Sequence, residues 1–264
     1  MCSQLETEGR LKASTLFFSG SALRQLLTTS ALILAFSLNS AAQSGSDLPK
    51  RIDSSINSMT NPPLRTVSPG VFELGSVRID KQQRSVSFPA KLNMNKGLVE
   101  YFLVTDYGKT HESVLRTEAA PYQIHVAMLL LGAKVETNQL KTIPPTSISK
   151  PSKTSLPGNK ISITVSWTAG GKEIRHEAEE LLFNREASAD MQHGAWVYNG
   201  SAIWNGTFLA QREGSIASLV TDPSALINYE GLGHENDHIW TPNTNSLPPF
   251  DLPLRVDIKL VPLK

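Results

Sequence analysis

The sequence holds one cysteine in 264 residues, Cys2, and it lies well ahead of the apolar run at residues 31–38. A lipid-bearing cysteine follows such a run directly, so Cys2 is not placed for that role. Beyond the run there is no thiol at all. This excludes disulfides, cysteine-held iron–sulfur clusters, thiolate zinc sites and a cysteine nucleophile. Charge is scarce as well, at 19% of residues, and nearly balanced, with 25 Lys+Arg against 24 Asp+Glu. A balanced surface has no counterion-release drive toward nucleic acid and no pull toward anionic lipid. Nucleic acid is therefore not an expected partner. No serine sits in a G-x-S-x-G elbow, which removes support for a hydrolase of that kind. A phosphate loop is also missing: Gly108-Lys109 needs a glycine five residues earlier, and that position is Leu103. No nucleotide is expected.

Long uninterrupted apolar stretches are absent too. The run at 31–38 is broken around its edges by Thr28, Thr29, Ser30, Ser37 and Asn39, whereas a bilayer span needs about 20 apolar residues. Arg10, Lys12 and Arg24 precede it and Ser40-Ala41-Ala42 closes it. That order predicts a signal peptide over 1–42, cleaved after Ala42, and a protein exported to the periplasm, cell envelope or exterior with no stable membrane span. Cleavage removes those three basic residues with Glu6 and Glu8, leaving 22 charges of each sign. Residues 43–66, rich in Ser, Asn, Pro and Asp, read as a flexible leader. About 200 residues remain, enough to build a core without disulfides.

What is present is mostly strand. Val71 to Ile79 and Val86 to Phe88 flank a polar turn and predict a hairpin, and "GLVEYFLVT" predicts a strand buried on both faces. "HESVLRTE" predicts a half-buried strand. Pro121 opens a helix running to Leu131, apolar nearly all round and stopped by Gly132. Residues 137–160, with four prolines, read as an exposed loop. "ISITVSW", then Gly170-Gly171, then "EIRHEAEELLF" predicts a second hairpin, and three short extended runs follow. "DPSALINYE" reads as a short helix capped by Asp222. Leu254, Val256, Ile258 and Leu260 share one face of a final strand. The expected class is α+β and β-dominated: mostly antiparallel sheet, one or two, packed on one buried apolar helix.

Three groups of residues are candidate sites. Lys109, His111 and Glu112, with His125 on the helix, offer acid–base equipment; convergence of His111 and His125 would also suit a metal. In "GHENDHIW", His234, Asp237 and His238 offer divalent-metal ligands, and the letters fit H-E-x-x-H, although the flanking glycines and Pro242 predict a loop where that chemistry needs a helix. Trp196, Tyr198, Trp204 and Trp240 are candidates to line a ligand groove, with core packing as the competing explanation.

Residues 72–133, with "GKTHES…HVAMLLLGA" as the most specific block, together with "QREGSIASLVTDPSALIN" and "IWTPN", resemble the YdjY-like domain family of exported bacterial proteins. The likeness runs from about Val71 to Asn243, leaving aside the proline loop, and makes 67–264 one domain. It implies no particular reaction. A ferredoxin-like label attached to some relatives does not carry over, since no cysteine follows residue 42. The resulting expectation is a non-catalytic binding or accessory module for a protein, glycan or small molecule. The alternative is a metal-assisted hydrolase built on one of the two histidine groups.

Overall fold

The computed structural model describes residues 62–135 and 157–262. The expected signal peptide, nearly all of the expected leader and most of the proline-rich loop lie outside the described residues.

Strands dominate. A ribbon of β1 (Arg65–Ser68), β2 (Val71–Leu74) and β3 (Val77–Asp80) leads into β4 (Ser85–Leu92). Gly75, at a φ of 61°, turns the chain between β2 and β3 and so divides what the sequence suggested as one strand. Next come β5 (Tyr101–Thr105), β6 (Ser113–Thr117) and helix α1 (Pro121–Leu130). After the proline-rich region follow β7 (Asn159–Ala169), β8 (Lys172–Glu177), β9 (Leu182–Asn184), β10 (Ala189–Asp190), β11 (Trp196–Tyr198), β12 (Ile203–Trp204) and β13 (Thr207–Phe208). Helix α2 (Leu209–Glu213), β14 (Ser215–Ser218), β15 (Ile227–Tyr229), β16 (Trp240–Pro242) and β17 (Leu254–Leu260) complete the described chain.

Eight of these strands close on themselves in the order β4-β17-β7-β11-β15-β14-β5-β6, with β6 returning to β4. This overturns the expected sheet packed on one buried helix: the fold is a closed β-barrel. Closure depends on β4. Its first part pairs antiparallel with β17, Val86 opposite Ile258 and Phe88 opposite Val256. Its last two residues, Lys91 and Leu92, pair with Arg116 and Leu115 of β6. One long strand thus serves both ends of the sheet and leaves no edge between them. Two pairings are parallel, β5 with β6 and β14 with β15, and local alternation could not reveal them.

The burial pattern explains why the strands read differently in sequence. β4, β17 and much of β7 alternate, with Val86, Phe88, Val256, Ile258, Ile163 and Val165 inward and their neighbours toward water. Val256 lies between Phe88 and Val165, and Ile258 between Val86 and Ile163, giving two apolar layers across three strands. β5, β11, β14 and β15 are buried at every position, because this side of the barrel is covered by other segments. Helix α1 has Pro at its first position, as expected. It buries only one stripe, Ile124, Ala127 and Met128; Tyr122, Leu129 and Leu130 are exposed. The helix is therefore attached to the barrel by one face and is not enclosed. The segment after Asp222 is a turn leading into β15, where a short helix was expected; the Asp222 carboxylate accepts the Ser224 N–H at 2.8 Å. Gly170-Gly171 makes the tight hairpin turn expected there and Asn205-Gly206 makes another between β12 and β13, all four residues at positive φ. Asn199-Gly200, the other Asn-Gly turn dipeptide, falls between β11 and β12, which do not pair. No helix among the described residues is long and apolar enough to cross a membrane.

Candidate functional site

β5 begins at Tyr101, paired with Ser113 of β6 on one side and Ser218 of β14 on the other. Loops before β6 and after β14 meet at this end of the barrel, joined by the backbone of Glu100: its N–H donates to the Glu112 carbonyl and its carbonyl accepts the Leu219 N–H. The Lys109 ammonium donates to the Tyr101 hydroxyl at 2.8 Å, and that hydroxyl donates to Asp222 at 2.9 Å. Burial, and then the Asp222 charge, push the Tyr101 pKa far up, so it remains a neutral phenol. Glu112 lies 3.7 Å from Lys109 and 3.8 Å from His111. His111 itself faces water. Lys109, Glu112 and Tyr101 therefore anchor a turn to the barrel, and their charges are paired.

Glu100 is the unfavourably placed member of this group. Burial, followed by the charge of Glu112, raises its pKa, and Lys109 opposes the shift. A carboxyl group whose folded pKa lies above its unfolded value of 4.5 binds more protons in the folded state across that interval. Its stabilising contribution is complete below the unfolded pKa and is lost as pH rises through the folded one. Glu100→Gln is thus expected to flatten the fall in stability above pH 4.5 and to raise stability at neutral pH. Urea unfolding of both proteins between pH 4 and 8 checks this; parallel curves would refute it.

The other expected site residues have separate fates. His125 lies on α1 with Nδ1 2.8 Å from the Tyr198 hydroxyl and its ring 4.9 Å from that of Phe208. Burial lowers its pKa, which keeps it neutral and makes it a bond between helix and barrel. Trp196, Tyr198 and Trp240 are buried, at 0, 0 and 1% exposure. Phe102, Trp196, Tyr229 and Trp240 follow one another in tilted and edge-to-face contacts with centroids 5.5–5.8 Å apart. These aromatics fill the core and leave no groove; Trp204 alone of the four is partly exposed, in the β12–β13 hairpin. "GHENDH" is a series of turns. His234 is bound to the Thr221 hydroxyl at 2.8 Å, while His238 lies exposed 3.3 Å from Asp237. Among the described residues, one group of three His, Asp or Glu side chains brings its ligand atoms within 4.8 Å of one another: Glu177, Glu179 and His193. Neither expected histidine group meets that geometry.

The seam of the barrel is more distinctive. One edge of β4 is paired with β3 as far as Ser87 and with β6 from Lys91 onward. The gap between them contains Pro89, which has no N–H to leave unpaired; its carbonyl accepts the Thr117 hydroxyl at 2.6 Å. A cleft of about 170 Å³ opens there, floored by Pro89, Ala90 and Pro253 and rimmed by Lys91, Asp106, Arg116 and Glu118. Lys91 and Arg116 are direct cross-strand partners. Like charges so placed repel. Each is instead tied to its own carboxylate, Arg116 to Asp106 at 2.8 Å and Lys91 to Glu118 at 3.1 Å.

The YdjY domain profile matches residues 77–259, well over half of the chain. The chain belongs to the YdjY domain family. No curated protein and no solved structure matches it. The matched span of the YdjY domain opens at the first residue of β3 and reaches into β17, so it takes in the whole barrel, including the closing strand beyond Asn243 where the sequence resemblance ended. It omits β1 and β2.

Several residues of the YdjY domain escaped sequence reasoning. Lys91, Asp106 and Glu118 carry no local signal, because only barrel closure sets Lys91 against Arg116. Glu177 and Glu179 were read as part of a continuous returning strand; the one local cue was the density of acidic residues after His176. Asp222 was read as a cap, and its bond to Tyr101 spans 121 residues of sequence.

Proposed function

We propose that this YdjY domain is an exported binding module whose seam cleft holds an anionic group, such as a carboxylate on a short apolar stem. The observation carrying this reading is the placement of Lys91 and Arg116 opposite one another at the rim of an apolar-floored cleft. Two cations at that spacing are unfavourable for folding alone and favourable for a bound anion, which can replace Asp106 and Glu118 as their partner. The planar Arg116 fork suits a carboxylate in two-point contact. The cleft lies between paired strands, so little ordering cost accompanies binding. Its volume suits one end of a ligand, such as a peptide side chain or terminus, in place of a whole drug-sized molecule.

The test is an amide NMR titration with an N-acetylated dipeptide acid and its methyl ester. The acid is expected to shift Ala90, Lys91, Thr117 and Glu118, the ester to leave them unmoved, and Arg116→Gln to weaken the response by about tenfold or more. Equal response to acid and ester, or shifts confined elsewhere, would refute the reading. Export is tested separately by sequencing the N-terminus of the protein recovered outside the cytoplasm, expected near Gln43. The metal-assisted hydrolase alternative has no support from its named residues, since neither histidine group draws three ligand atoms together.

A further inference from the structure

Glu177 ends β8 and caps the short 3-10 turn Ala178–Leu181, its carboxylate accepting the Glu180 N–H while that of Glu180 accepts the Glu177 N–H. Glu180 is further occupied by His176 at 2.8 Å. Glu179 is different. It is 3% exposed and accepts the Gly194 N–H on Oε1 at 2.9 Å. No Lys or Arg among the described residues pairs with Glu177 or Glu179. A carboxylate so largely withdrawn from water is costly without a cation beside it. His193, on the loop after β10, brings a ring nitrogen to 2.7 Å from Glu177. One ligand atom from each of Glu177, Glu179 and His193 lies within 4.8 Å of the other two.

We propose that Glu177, Glu179 and His193 form a binding site for a divalent transition-metal ion, typified by Zn²⁺. The two carboxylates neutralise a divalent charge. The imidazole selects against Ca²⁺ and Mg²⁺, which prefer all-oxygen shells. Zinc–ligand distances of about 2.0–2.2 Å put the ligand atoms of a tetrahedral site about 3.4 Å apart, so Glu177 and His193 give up their 2.7 Å hydrogen bond while the wider separations close in. Glu177 and His193 can do so, because both side chains are about half exposed, while Glu179 is held by Gly194. Three protein ligands leave a fourth position open toward solvent. The bound ion would link the 177–181 turn to the 192–194 loop, where Gln192 also accepts the Tyr229 hydroxyl at 3.2 Å. In a domain without a cysteine, such an ion provides the cross-brace that a disulfide would otherwise give.

The test is calorimetric titration of untagged protein with Zn²⁺, and with Ca²⁺ for comparison. Parallel titrations use His193→Ala, Glu179→Gln and a His234→Ala/His238→Ala double variant. Glutamine keeps the acceptor for Gly194 and loses the charge; Glu177→Gln, at the surface, replaces it should that variant not fold. The expected result is one equivalent of Zn²⁺, a loss of about tenfold or more in the His193 and Glu variants, an unaltered double variant, and Ca²⁺ weaker than Zn²⁺. A rise in thermal midpoint with excess Zn²⁺ should follow the same pattern. Absent stoichiometric binding, or affinity unchanged in His193→Ala, would overturn the assignment. The seam cleft shares no residue with this site, so the two proposals fail independently.

Discussion

Trp196→Ala is expected to cost about 3–5 kcal/mol of folding stability, enough to unfold a large share of the protein at 37 °C. Its indole has 0% exposure and lies between Phe102 and Tyr229, at 5.8 and 5.5 Å. Removing it leaves a void at the middle of the aromatic row, and the surrounding strands cannot collapse without breaking their pairing. Trp204→Ala, in a hairpin of two-residue strands at the surface, should cost less than about 1 kcal/mol. Trp196→Phe separates packing from polarity. The Trp196 indole N–H is buried without an acceptor among the described residues, so its loss offsets part of the lost ring volume, and the phenyl variant should fall much nearer wild type than the alanine one. Urea denaturation of the three variants decides the matter. Equal losses for Trp196→Ala and Trp204→Ala would mean that the row is not the centre of the core.

Gly214→Ala should be at least as damaging, with a loss above about 3 kcal/mol or no soluble protein. Gly214 closes α2 in the left-handed region at a φ of 71°. Its carbonyl accepts the Thr105 N–H at 2.8 Å. A methyl group there would sit 2.2 Å from the Thr105 hydroxyl and 2.8 Å from the Gly108 α-carbon. The second contact is backbone, so relief requires the turn after β5 to move away from the start of β14. Gly132→Ala isolates the conformational part of the effect: its φ is 88°, but nothing lies within 4 Å of the added carbon. That variant should lose only the left-handed penalty, about 1–2 kcal/mol. If denaturation midpoints of the two alanine variants coincide, steric contact at Gly214 contributes nothing.

Local features of this chain were legible wherever their cause was local. Gly170-Gly171 and Asn205-Gly206 announce their turns because two successive positive φ values admit few other residues. Pro121 announces α1 because the first helical position needs no amide donor. Alternation in β17 and β7 reflects one wet and one dry face. Barrel closure was not legible, because it depends on one edge of β4 leaving β3 after Ser87 and taking up β6 at Lys91; Pro89 marks the gap but says nothing of the next partner. Three of the four candidate aromatics proved to be core, since composition cannot distinguish a tryptophan that lines a groove from one covered by loops. Likewise His125 and Tyr198 meet across 73 residues of sequence, so the histidine's role follows from topology.

The barrel's closing strand has a consequence for when the protein can fold. β17 is the last of the described strands in chain order, yet it lies between β4 and β7. Val86 and Ile258, its partner, are about 170 residues apart, a separation that slows the search for native contacts. While residues 254–260 remain inside the ribosome, β4 and β7 have no neighbour through which to join, and the growing chain can form hairpins but no cylinder. Closure of the barrel therefore waits until residues 254–260 have emerged, and the chain ahead of them stays pliable until then.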